Sequence, residues 1–266
     1  MKTWSPTNGI ANNLKAGRYI NHKLGTQERY AVREVLRMNG PKTTRRISEG
    51  KCGLCNTTFS KAAMTRHLKL CRQGKAVETP SKGRRSQERK ILHLAVEGRH
   101  LPEYWMHLEA LASATLEDMD TFLRRTWLEC CSHLSAFTIE GKQYVSDPSE
   151  EFGDEGMDVT LGKVLSVRTR FYHEYDFGTT TELALKVVSE RMGRIGRESI
   201  QLLARNNPPL VKCRSCKKAA TKVCSQCDYS DKRWLCDECA KKHKCGEEML
   251  LPVVNSPRTG MCAYTG

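Results

Sequence analysis

The stretch from Cys213 to Cys245 reads C-R-S-C-K-K-A-A-T-K-V-C-S-Q-C-D-Y-S-D-K-R-W-L-C-D-E-C-A-K-K-H-K-C and constrains this chain more than any other. It holds three Cys-x-x-Cys pairs, Cys213/Cys216, Cys224/Cys227 and Cys236/Cys239, followed by a His-x-Cys pair, His243/Cys245. Eight soft ligands suffice for two tetrahedral zinc sites with no position left for water. So short a segment lacks a core of its own, so the metal itself must supply folding free energy.

Spacing decides how the ligands divide. A sequential division would leave only seven residues between Cys216 and Cys224. An interleaved one leaves 19 between Cys216 and Cys236 and 15 between Cys227 and His243, near the usual separation of about 12–20. The expectation is one ion on Cys213, Cys216, Cys236 and Cys239, and a second on Cys224, Cys227, His243 and Cys245. This cross-braced order resembles a B-box. Modules of that kind generally serve protein interaction, which implies a protein partner for residues 213–246. The competing reading is a disulfide module. The first 20 residues contain no apolar signal core, and a His in register with the cysteines fits metal better than bridges. A reducing, cytoplasmic setting is therefore expected.

A second ligand group lies at Cys52-Gly-Leu-Cys55, followed by Phe59, Met64, His67 and Cys71. It resembles a two-Cys-two-His zinc finger whose last His is Cys. Eleven residues separate Cys55 from His67, one short of the usual spacing of about 12. Ser60 is placed to cap a helix through Leu70. His67 and Cys71 lie one helical turn apart and share a face. Phe59 and Met64 take the miniature core. Three zinc ions are thus expected in all. Lys61, Arg66 and Lys69 could contact nucleic acid or form a solvated face.

The formal net charge is +14. Residues 1–90 hold 21 basic and 5 acidic side chains, whereas residues 91–200 hold 11 and 19. Counting zinc ligands as thiolates lowers the total to about +10 but leaves the basic N-terminal third intact. Such a field attracts a polyanion, so nucleic acid is the partner expected there. A solubilising arm, or one paired internally with the acidic middle, explains the same charge. No apolar run approaches the roughly 18 residues of a membrane span.

The expected organisation is a basic arm (1–50) with one short helix at Gln27–Met38, a zinc finger (51–72), a basic linker (73–90), a middle domain (91–200), a second linker (201–212), the cross-braced module (213–246) and a tail (247–266). Met38 is an alternative first residue. In the middle domain, alternation predicts strands at Ile91–Val96 and Tyr104–Ala110. Thr115 and Asp118 form a variant capping box. The helix they open carries Leu116, Met119, Phe122, Leu123 and Trp127 on one stripe. Further strands are expected at Ser135–Ile139, Phe171–Phe177 and Leu183–Val188, with a helical turn at Thr160–Leu165. Residues 147–158 read as an acidic loop. The fold class is α+β, a central sheet-plus-helix domain flanked by two small zinc-stabilised modules.

The run from Tyr104 to Ile139, together with F-Y-H-E-Y-D-F-G-T-T-T-E-L-A-L from Phe171, resembles the plasmid pRiA4b open-reading-frame-three family. The resemblance covers about residues 90–192. It rests on Thr115-Leu116, the Ser132-His133-Leu134 run and Tyr175-Asp176-Phe177-Gly178. The ending N-S-P-R-T-G-M-C-A-Y-T-G is similar to tails of the same group. The resemblance implies a sheet with helices on one side, in a prokaryotic, sometimes mobile-element setting, and implies no established reaction. After Tyr-Asp-Phe-Gly the family commonly has Asp, Trp and Glu-His. Here Thr179, Thr181 and Glu182-Leu183 stand in those places.

No Gly-x-Ser-x-Gly elbow, phosphate loop or His-Glu-x-x-His motif occurs. Asp176, His133 and His173 are the polar candidates of the middle domain, each more readily explained by a structural hydrogen bond. Cys130 and Cys131 are expected to pack as small apolar groups, and Cys262 to be structural. Trp234 either anchors a partner or packs on the zinc knuckles. The function expected is a non-enzymatic zinc-binding adaptor for nucleic acid or protein. The alternatives are an enzyme of unspecified reaction in the middle domain and an adaptor for proteins alone.

Overall fold

The computed structural model describes residues 48–77, 88–149, 151, 153–196, 198–227 and 233–266. The helix expected at Gln27–Met38 lies outside them. Most strands join one sheet. In chain order these are β1 (Glu49–Cys52), β2 (Thr58–Ser60), β3 (Arg89–Gly98), β4 (Trp105–Leu111), β5 (Ser135–Ile139), β6 (Lys142–Val145), β7 (Glu155–Gly156), β8 (Arg170–Tyr175), β9 (Thr181–Gly193) and β10 (Ile200–Asn206). Their order across the sheet is β2-β1-β10-β4-β3-β9-β8-β5-β6-β7. All neighbours are antiparallel except β6 and β7.

The alternating segments become strands because period-2 patterning places one set of side chains in the core. Leu92, Leu94 and Val96 of β3 are buried, as are Met106, Leu108 and Ala110 of β4. Helices pack on the sheet in two places, one over this cluster and one over a separate cluster of Trp105, Leu203 and Ala204. The finger helix α1 (Lys61–Val77) belongs to the N-terminal end, and α2 (Leu116–Leu123) belongs to the middle domain. The Asp118 amide donates to Thr115 Oγ1 at 3.1 Å, and the Thr115 amide donates to Asp118 Oδ2 at 3.0 Å, a complete capping box. A π-helical turn, Arg124–Leu128, extends α2. Leu116, Met119, Leu123, Trp127 and Leu128 are buried with the strands. The turn expected at Thr160–Leu165 is the short helix α3 (Leu161–Val164).

Two boundaries differ from expectation. The finger does not stand apart: β1 pairs with β10, with Gly50 opposite Asn206 and Cys52 opposite Ala204. Its Met64 and Leu68 are buried with Trp105, Leu203 and Ala204 of the sheet. The segment after residue 200, expected as a linker, is β10, seated between the finger and β4. A register shift between Leu202 and Ala204 breaks its alternation, which hides the strand from a period-2 reading.

A second, three-stranded sheet of β11 (Lys222–Cys224), β12 (Trp234–Leu235) and β13 (Leu250–Pro252) accompanies a short helix, α4 (Asp237–Ala240). The tail then folds back. Ser256 Oγ donates to the Trp127 carbonyl at 2.6 Å, and Asn255 Nδ2 donates to the Asn206 carbonyl at 2.8 Å. Among the described residues no helix is long and apolar enough to cross a membrane.

Candidate metal centres

In the finger, Cys52 ends β1 and Cys55 follows in the turn to β2. His67 and Cys71 sit one turn apart on α1. Phe59 stacks on the His67 imidazole at 3.9 Å between centroids, which orients the ring. The Met64 and Leu68 side chains, on the buried face of α1, fix the rotation of the helix and so the aim of His67. In the C-terminal module, Cys213 and Cys216 lie before β11. Cys224 ends β11, Cys236 caps α4 and Cys239 lies within it.

The structure brings together Cys52, Cys55, His67 and Cys71, then Cys213, Cys216, Cys236 and Cys239, then Cys224, Cys227, His243 and Cys245. Within each group all ligand atoms lie within 4.8 Å of one another. The two C-terminal groups are the interleaved sets. A tetrahedral zinc ion with bonds of about 2.3 Å to sulfur and 2.0–2.1 Å to nitrogen requires S···S edges of about 3.8 Å and S···N edges of about 3.6 Å. The observed edges are 3.3 Å for Cys55–His67, 3.4 Å for Cys216–Cys236, 3.4 Å for Cys227–His243 and 3.7 Å for Cys227–Cys245. A disulfide would need about 2.05 Å, and all 13 cysteines are free. Donor chemistry and size both fit a soft divalent ion.

The electrostatics point the same way. Hydrogen bonds from Thr57 lower Cys55 to about 6, whereas burial and the Cys55 sulfur push Cys71 up to about 11. Burial opposes ionisation of Cys213, but backbone hydrogen bonds from Cys216, Cys236 and Ser215 outweigh it and bring the thiol to about 6. The sulfurs of Cys236, Cys213 and Cys216 push Cys239 up to about 12. Burial and Cys245 push Cys227 up to about 12. Burial also opposes ionisation of Cys224, but hydrogen bonds from Cys227, His243 and Gln226 bring it to about 7, so one thiolate forms readily in each group and then opposes the next. A bound dication removes that conflict.

The described residues contain a fourth group, so the expectation of three metal sites is corrected to four candidate groups. Cys130, Cys131, His133 and Cys262 also place their ligand atoms within 4.8 Å of one another. Cys131 and Cys262 are exposed, which is not how small apolar packing groups behave. Sequence reasoning missed the group because Cys262 lies 129 positions from His133. The Cys-Cys-x-His run was its one local signal.

The polar candidates of the middle domain are engaged in structure. His173 is fully buried, with Nε2 2.7 Å from Asp120 Oδ1. Asp176 has φ +64°, and its Oδ1 accepts the amides of Gly178 at 3.1 Å and Thr179 at 3.2 Å. Its Oδ2 accepts from Arg258 at 2.6 Å. Trp234 is half-buried in β12 and carries the Arg233 guanidinium over its ring at 4.9 Å.

No family model matches the chain, and no curated protein matches it. Among solved structures, a protein of unknown function, MM3350 from Methanosarcina mazei Go1, is similar in part. It has 16% identity and a TM-score of 0.40, over 45% of this chain and 70% of its own.

Proposed function

We propose that this chain is a non-enzymatic zinc-binding adaptor whose three Cys/His groups, at Cys52–Cys71 and Cys213–Cys245, are structural zinc sites. The observation that carries the reading is that each group offers four soft donors within 4.8 Å of one another. A site filled by four protein ligands has no position for a substrate or an activated water. The middle domain is read as the pRiA4b type, in a prokaryotic and mobile-element-linked setting. Its support is that the segments carrying the resemblance meet: Arg258 of the tail binds Asp176 of Tyr-Asp-Phe-Gly, and His133 Nε2 lies 3.6 Å from the same carboxylate. An enzyme centred on Asp176 or His173 has less support, since both are spent on buried contacts.

Nucleic acid is the partner favoured by the basic residues 1–90. That role falls to the segment outside the finger helix. Lys61 is held by Glu97 and by the Pro102 carbonyl, and Thr65 faces His107 at 3.4 Å. These contacts commit the first turns of α1 to the sheet, which favours the finger as a structural cap over base reading. A protein partner for the C-terminal module is the second reading, favoured by the half-buried Trp234 with its stacked arginine.

The test is binding of the full chain to duplex and single-stranded oligonucleotides across a salt series, beside a chain lacking residues 1–46. The expected result is weak binding that falls steeply with salt and is lost with the deletion. Binding that ignores salt, or none at low salt, removes the nucleic-acid branch and leaves the protein-partner one. A zinc content of one ion or none in the native protein would sink the reading as a whole.

A further inference from the structure

After the π-helical turn the chain makes a tight corner at Cys130-Cys131-Ser132-His133, with Ser132 at φ +55°. The Tyr175 hydroxyl holds that corner. It accepts the amides of Cys130 at 3.4 Å and His133 at 3.3 Å and donates to Glu129 Oε1 at 3.1 Å. From the other side the tail delivers Cys262, which itself has φ +50°. Its Sγ lies 3.6 Å from Cys131 Sγ and 3.5 Å from His133 Nε2.

Three other chemistries fit these atoms less well. A Cys262–His133–Asp176 relay would need the two imidazole nitrogens to face opposite partners. Here the same atom, Nε2, faces both Cys262 at 3.5 Å and Asp176 Oδ2 at 3.6 Å. A Cys131–Cys262 disulfide would use two of the four groups and leave the gathering of Cys130 and His133 unexplained. Plain thiol packing does not account for two exposed sulfurs meeting an imidazole nitrogen. The edges of 3.5 and 3.6 Å instead match those of the other three groups and of a tetrahedral ion.

We propose that Cys130, Cys131, His133 and Cys262 bind a fourth soft divalent ion, zinc in class, which clasps the C-terminal tail to the central domain. Three thiolates and one neutral imidazole around a dication leave a charge of about −1. Arg258 lies beside that charge, fully buried, with Nη2 3.3 Å from Cys130 Sγ. A donor to a ligand sulfur is the kind of outer contact that orients and tunes such a site. The clasp lies outside the three groups used for the adaptor reading and does not depend on it.

The test uses the full chain purified under reducing conditions with zinc present. Four ions per chain are expected, and three in Cys262→Ser. Independently, the unmutated zinc-loaded chain is treated with a thiol alkylating reagent before and after a chelator, and labelled cysteines are located by mass spectrometry. Cys131 and Cys262 should be protected until the chelator is added, although they are exposed. Rapid labelling of both in the zinc-loaded chain, a Cys131–Cys262 disulfide, or equal zinc counts in the two chains would overturn the clasp. Should Cys262→Ser fail to fold, the labelling of the unmutated chain decides. Labelling confined to Cys130, Cys131 and Cys262 sinks only the clasp. Labelling that extends to the Cys213–Cys245 thiols sinks the adaptor's zinc assignment too.

Discussion

The guanidinium of Arg258, four positions before Cys262, donates a 2.6 Å hydrogen bond to Asp176 just beyond the end of β8. It also donates to the Thr179 carbonyl and to Thr181 Oγ1, each at 3.1 Å. Burial alone would raise the Asp176 carboxyl, yet Arg258 and the Thr179 and Gly178 amides hold it below its ordinary value. Removing one partner strands the other. Arg258→Ala should destabilise the protein by about 3–5 kcal/mol in denaturant unfolding. Asp176→Asn should cost a comparable amount, since its amide oxygen can still accept the Gly178 and Thr179 amides but its NH2 cannot accept the Arg258 N–H and the buried guanidinium loses its counter-charge. Equal, small losses in both variants would show that the pair does not fix the tail.

Gly260 tests whether the tail also supports the C-terminal module. Its φ is +77°, and a Cβ there would lie 2.7 Å from Val223 Cγ2 of β11. Gly260→Ala therefore meets both backbone strain and overpacking, worth about 1–3 kcal/mol. Hydrogen exchange of the β11 amides should quicken in the variant. Unchanged exchange there would mean that tail and module are energetically independent.

Asp120 and His173 give the core an acid limit. Burial works against the Asp120 carboxylate, but the His173 hydrogen bond and charge outweigh it and depress its pKa below 3.8. A depressed carboxylate contributes stability that is complete above its unfolded pKa and is lost as pH falls through the folded value. The loss should therefore begin below about pH 4. Asp120→Asn should be less stable at neutral pH and show a shallower decline in that window. A parallel decline in both proteins would assign the acid limb to other groups.

Metal removal should act unevenly. The finger joins the sheet through three pairs between β1 and β10, whereas β3 and β9 pair along ten positions in the middle of the sheet. With a chelator, amides of β1, β2 and β11–β13 should exchange faster while β3 and β9 stay protected. Simultaneous loss at β3 and β9 would mean that the metals hold the whole domain and not its flanks.

What could be read ahead of the structure was local and periodic. Ligand spacing separated Cys216–Cys236 from Cys216–Cys224, alternation located β3 and β4, and Thr115 with Asp118 marked the start of α2. What could not be read was carried by distance and irregularity. The bulge at Leu202 disguised β10. The union of the finger with the sheet depends on Met64 and Leu68 finding Trp105, Leu203 and Ala204, contacts with no local signature. Cys262 reaches His133 because Asn255, Ser256 and the buried Arg258 pin the tail to distant parts of the chain.

The junction of β1 with β10 has one more consequence. Open sheets invite pairing with other chains at their unpaired margins, and proteins blunt those margins with very short strands. Here the finger contributes β2, three residues long, as the outermost strand, and the far end is closed by the two-residue β7. Should the finger come away, Ala204–Asn206 of β10 would lose their partner strand and lengthen an open margin that already carries the exposed Leu202. On the zinc reading proposed above, the finger would also shield this margin from self-association, and starving the chain of metal would turn a folding defect into an aggregation hazard.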